Sequence, residues 1–124
     1  MIINDPDLIA ELRELSSAYE HALVTNDVEK LVEMFWPDTR VMRFGATENL
    51  YGYKEIDDFR KRRPAANLAR TVTRLDIVSF GKDFASITLE FKRGEQQGRQ
   101  SQSWVRFSEG WRIVSAHVSL MQSL

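Results

Sequence analysis

Apolar residues recur at helical spacing in the first half of this chain and at strand spacing in the second. Leu8, Leu12, Leu15, Tyr19 and Ala22 return at intervals of three and four, which places them on one helical face, and Ile9 and Leu23 widen the stripe. Asp5 and Pro6 mark the start: an aspartate cap, then a proline in the first turn, where its missing N–H does no harm. Thr25-Asn26-Asp27 breaks the pattern, and Asn26 and Glu29 have the spacing of a variant capping box. Val28, Leu31, Val32 and Phe35 predict a short second helix that Pro37 ends. Residues 39–44 alternate as a strand, Gly45-Ala46-Thr47 form a turn, and residues 48–51 read as a second short extended piece. Residues 52–62 predict a third helix with Ile56 and Phe59 inward, the charged KE–DD–RKRR positions outward, and Pro64 as its stop. Beyond residue 68 the period changes to two and stays there. Strands are predicted over 69–80, 84–92, 99–107 and 111–120, separated by Gly81-Lys82-Asp83, the 94–98 loop and Ser108-Glu109-Gly110.

Helices first and consecutive antiparallel strands afterwards is an α+β order. We expect one domain over residues 1–124, a curved antiparallel sheet wrapped around the N-terminal helices. Such a cone has a closed apolar bottom and a polar mouth. Antiparallel sheets usually cover one face and wet the other. Strict alternation in 111–120 puts Trp111, Ile113 and His117 on one side, and Val114, Ala116, Val118 and Leu120 on the other. Both faces then need cover. The helices and cavity supply one, and a second copy of the chain the other, predicting a homodimer through the sheet.

Composition narrows the function classes. The formal net charge of −1 gives no long-range attraction to nucleic acid. No apolar run approaches the roughly 18 residues that span a bilayer, and the N-terminus lacks a signal-type pattern, so a cytoplasmic address is expected. Zero cysteines exclude disulfides and thiolate chemistry. Two histidines far apart in sequence, with His21 off the apolar helical face, argue against a metal site. Gly45, Gly52 and Gly81 form no phosphate-binding pattern, and there is no GxSxG elbow. No cofactor is expected. The remaining chemistry is acid/base or electrostatic.

Arg43 lies inside the alternation of 39–44, where an unsatisfied guanidinium is costly to bury. It turns to water, pairs with a carboxylate such as Glu48, or waits for an anionic ligand. Tyr19 lies on the buried side of the first helix, and a buried phenol normally finds a polar partner.

The segments YEHALVTNDVEKLVEMFW, VMRFGATENLYGYKEI, GRQSQSWVR and GWRIVSAHVSLM resemble the AtzH/HpxZ branch of the nuclear transport factor two-like (SnoaL-like, cystatin-like) α+β superfamily. The resemblance implies a cone fold and a link to cyanuric acid or oxalurate catabolism. On the AtzH side it implies a cofactor-free decarboxylase of dicarboxyurea; the HpxZ type has no firmly assigned chemistry. GRQSQS and HVS also resemble the association domain of a calmodulin-dependent kinase, so the fold alone leaves function open.

Tyr19 and Arg43 both lie in the matching segments. The reading they support is Arg43 holding a carboxylate in a planar two-point grip and Tyr19 donating a proton to a ureido nitrogen. Tyr19 as a core tyrosine and Arg43 as an internal partner of Glu48 remain the structural alternatives. A substrate with two carboxylates invites a second cation, for which Arg70 and Arg63 are candidates; Arg63 also fits the solvated RKRRP run. Gln100 and Gln102 share a face with Trp104, and amides orient ligands by donating and accepting. Gln102, Asn49, Trp36 and His117 complete the substrate-binding candidates, each with a plain packing, turn or interface alternative. The second functional reading is a non-catalytic anion-binding protein assisting a partner amidohydrolase. A pure oligomerisation domain fits less well.

Overall fold

Helix α1 (Pro6–Val24) begins at the expected cap, with the Asp5 carboxylate accepting from the Asp7 backbone N–H at 3.0 Å. The computed structural model describes residues 1–122. Leu8, Leu12, Ser16, Tyr19, Ala22 and Leu23 are the buried face of α1. Helix α2 (Val28–Glu33) is capped by Asp27, whose side chain accepts from the Lys30 N–H at 3.2 Å. The cap is therefore one residue later than the Asn26/Glu29 spacing predicts. Asn26 instead supplies the left-handed turn, at φ 55°.

Strands β1 (Met42–Phe44) and β2 (Asn49–Tyr51) form a short hairpin, and α3 (Tyr53–Arg62) follows Gly52 at φ 86°. Four long strands complete the chain: β3 (Thr71–Phe80), β4 (Phe84–Arg93), β5 (Gln96–Phe107) and β6 (Gly110–Leu120). They form one six-stranded sheet in the order β2-β1-β6-β5-β4-β3. Every neighbouring pair is antiparallel except β1 with β6, which is parallel. No helix among the described residues is long and apolar enough to cross a membrane.

The register fixes which residues share a face. One inward row reads Leu50, Arg43, Ala116, Gln102, Ile87 and Ile77, all buried. Towards one end of the long strands lie Trp104, Ile113 and Ala85, which close the apolar bottom against Leu12 and Phe35. Towards the other end lie Gln100, Val118, Leu120 and Phe91, where the polar cavity opens.

Strict alternation fails at one point in β6. Trp104 pairs with Ile113 while Ser103 pairs with Ser115, so Val114 is an extra, bulged residue. The bulge moves Ala116, Val118 and Leu120 to the same inner face as Trp111 and Ile113. It moves His117 to the outer face, where it is exposed. The outer face of the sheet is consequently not apolar at its centre. Its middle rows carry Ser115, Ser103 and Ser86, then His117, Ser101 and Thr88.

Candidate functional site

Tyr19 marks the floor of a cavity of about 220 Å³ between α1, α3 and the inner face of the sheet. Five arginines line it: Arg43 from β1, Arg60 and Arg63 from α3 and its end, Arg70 from the approach to β3, and Arg93 from the end of β4. Among the described residues Glu48 is the one carboxylate in that lining, and Glu20 reaches Arg70 from α1. Positive charge therefore exceeds negative around a space too small for a drug-sized ligand.

The arginines differ in what already holds them. Arg70 is committed. Its Nε and Nη2 donate to the two Glu20 carboxylate oxygens at 2.7 and 2.8 Å, and Nη2 also donates to Gln100 Oε1 at 3.0 Å. Its guanidinium lies 4.3 Å from the centre of the Phe91 ring, a favourable stacking distance. Arg43 is half committed. Its Nη1 donates to Glu48 Oε1 at 2.8 Å, one hydrogen bond from a group with five N–H donors, and its guanidinium lies 5.3 Å from the centre of the Phe59 ring. Glu48 is held in turn by the Thr47 N–H and hydroxyl at 3.2 and 2.7 Å. Burial works to raise the Glu48 carboxyl, but the bonds from Thr47 and Arg43 outweigh it and hold it below the usual range. Gly45 makes this possible, because a Cβ there would collide with the Glu48 carboxylate.

Arg60 is different. Its side chain is 1% exposed, its Nη2 donates to the Tyr19 hydroxyl oxygen at 3.0 Å, and its Nε and Nη1 are buried without a partner. It meets no carboxylate among the described residues. Burial brings it down to about 10; the Tyr19 oxygen opposes this, and Arg43, Arg63 and Arg70 add to it. Arg63 and Arg93 are lowered by the same causes, burial first and then neighbouring arginines. Burying guanidinium groups together costs free energy that an anion in the cavity would offset.

Because Arg60 occupies the Tyr19 oxygen as an acceptor, the phenolic hydrogen is free to point into the cavity. A phenol so held can donate to a ligand atom, and the surrounding guanidinium groups can bind that ligand's negative charge.

Of the predicted residues, Tyr19, Arg43 and Arg70 come together here, with Arg63 and Gln100. The others do not. Gln102 lies one row deeper than Gln100, in the row of Arg43, but is outside the cavity lining and accepts from Trp104 Nε1 at 3.0 Å. Trp36 is at the closed end, stacked 5.6 Å from Phe107, with the Arg40 guanidinium 5.0 Å from its ring centre. Asn49 is exposed on β2, and His117 packs edge-on against Phe44 at 5.9 Å on the outer face. Arg60 and Arg93 were not foreseen. Both carried a legible signal: Arg60 is four residues from inward Ile56, and Arg93 continues the inward alternation of Leu89 and Phe91.

A curved sheet folded over an N-terminal helix, with a polar cavity at its open end, defines a cystatin-like, NTF2-like cone. The AtzH-like family model matches residues 1–124, and the chain belongs to that family. A protein of unknown function from Pectobacterium atrosepticum is 47% identical, with TM-score 0.94 over 97% of this chain and 95% of that one. A cystatin-like fold protein from Burkholderia xenovorans is 37% identical, with TM-score 0.94 over 100% and 99%. An NTF2-like protein of unknown function from Pseudomonas putida is 15% identical, with TM-score 0.75 over 93% and 87%, a likeness of fold alone. No protein of curated function matches the chain.

Proposed function

We propose that this protein is a small cofactor-independent enzyme that decarboxylates a ureido-carboxylate, dicarboxyurea in cyanuric acid or oxalurate nitrogen catabolism, in the cytoplasm. The observation that carries the reading is the Tyr19 phenol on the floor of a cavity lined by five arginines, in a chain of the AtzH-like family. Arg43 binds the carboxylate that leaves. Tyr19 delivers a proton to the ureido nitrogen as the N–C bond breaks. The bond's electron pair stays on nitrogen and takes that proton, carbon dioxide departs, and the phenolate left beside Arg60 recovers a proton from water. Positioned general-acid transfer of this kind is worth roughly a hundred- to ten-thousand-fold in rate.

The test is carbon dioxide release from freshly prepared dicarboxyurea, set against the spontaneous rate. Fast release by wild type that is lost in Arg43→Ala, with the fold intact, supports the assignment. Release no faster than buffer removes it. One observation favours a second reading, an anion-binding protein that assists a partner amidohydrolase without turnover: Arg43 reaches the cavity already paired with Glu48. Turnover by the isolated protein counts against that reading.

We also propose that two copies pair through the outer face of the sheet. Small Ser86, Ser103 and Ser115 side chains at its centre allow close approach, and Met42 and Tyr51, 43% and 54% exposed, offer apolar area beside them.

A further inference from the structure

Arg60 poses a physical problem that the described residues do not solve. A guanidinium taken out of water is stable only with good hydrogen bonds and a counter-charge. Arg70, buried to a similar degree, has both in Glu20 and Gln100. Arg60 has one neutral partner, the Tyr19 hydroxyl, and two buried N–H-bearing nitrogens with none. Its surroundings make matters worse, since Arg43, Arg63 and Arg70 are its charged neighbours. Helix α3 nevertheless aims it inward beside Ile56, in a stretch where Lys61 and Arg62 turn to water. Among the described residues no carboxylate supplies its counter-charge, and its unpartnered nitrogens lie in the cavity lining.

We infer that Arg60 is a specificity-determining residue for a ligand bearing two carboxylates, one carboxylate lying on Arg43 and the second becoming the counter-ion that Arg60 lacks. Resting on the proposed reaction, this deepens it: a monocarboxylate fills the Arg43 position and leaves Arg60 unpaired, whereas a short dicarboxylate satisfies both. It also reassigns the second cation. Arg70, bonded three times within the protein, holds the cavity wall, and Arg60 meets the ligand.

Malonate and acetate test this without any turnover, because neither is a ureido compound. At matched ionic strength, calorimetric titration of wild type should show malonate bound at least about tenfold tighter than acetate. Arg60→Gln should lose most of that preference and keep acetate binding, and Arg60→Lys should recover part of it. An unchanged malonate-to-acetate ratio in Arg60→Gln overturns the inference. If the variants do not fold, the Arg60 Nε–H resonance of wild type decides: movement with malonate and not with acetate supports the site, and no movement overturns it. Selective malonate binding without carbon dioxide release from dicarboxyurea keeps the Arg60 site and removes the decarboxylase. Turnover with an unchanged ratio in Arg60→Gln does the reverse.

Discussion

The Arg60 guanidinium on α3 donates to the Tyr19 hydroxyl oxygen on α1 at 3.0 Å, forty-one residues apart in sequence and both buried. That bond takes up an acceptor site of the phenol oxygen, and it predicts a two-part result for Tyr19→Phe. The rate of carbon dioxide release should fall by roughly a hundred- to ten-thousand-fold. Stability should fall as well, by about 1–3 kcal/mol, because Arg60 is left with no acceptor. Release assays and thermal melts on the same preparation check both, and a fully active Tyr19→Phe would remove the phenol from the mechanism.

Arg70 and Arg60 should respond to substitution in opposite directions. Arg70→Met leaves Glu20 and Gln100 without their partner and should cost roughly 3–5 kcal/mol. Arg60→Met removes a buried charge that meets no carboxylate among the described residues, so it should raise stability while weakening malonate binding. Chemical denaturation of the two variants separates the roles. Equal destabilisation would mean that Arg60 is structural.

The contrast between these two arginines also shows what could be read from the chain. The α1 stripe and the alternation of β1 place Tyr19 and Arg43 correctly, because hydrophobic periodicity reports direction. Arg60 is misplaced because it opens the charged run RKRR, which reads as solvated, although its spacing of four from Ile56 points inward. His117 is misplaced for another reason. The Val114 bulge shifts the phase of β6, and neither glycine nor proline marks it. Periodicity finds faces; it does not reveal ion pairs made by chain segments fifty residues apart, such as Arg70 with Glu20.

Glu48 gives the site a pH dependence whose sign follows from its lowered carboxyl. A carboxylate titrating below its unfolded value adds stability that is complete above that value, 4.5, and is lost as pH falls through the lower folded one. The melting temperature of wild type should therefore exceed that of Glu48→Gln at neutral pH, and the gap should close as pH drops below 4.5. A gap that stays constant into the acid range would show that the Arg43–Glu48 bond contributes little. Glu48→Gln should also bind malonate more tightly at neutral pH, since Arg43 is released.

The serine rows of the outer face predict a dimer that one large charge disrupts. Sedimentation of wild type should give twice the chain mass, and Ser103→Arg should give the monomer with the same cavity properties, because Ser103 pairs with Ser115 and Ser86 on the face away from the site. A monomeric wild type would sink the outer-face pairing.

Gly98 supports the cavity from behind. A Cβ at this position would run into the Phe91 ring, which is 1% exposed and carries Arg70 at 4.3 Å and Arg93 at 5.7 Å over its faces. The ring cannot yield without shifting both guanidinium groups. Gly98→Ala should thus cost about 1–3 kcal/mol in stability by overpacking and weaken malonate binding in the same variant. Denaturation and titration read the two effects separately. Lost stability with unchanged binding would mean that the Phe91 platform moves as a unit and that the arginines above it are positioned by their own hydrogen bonds.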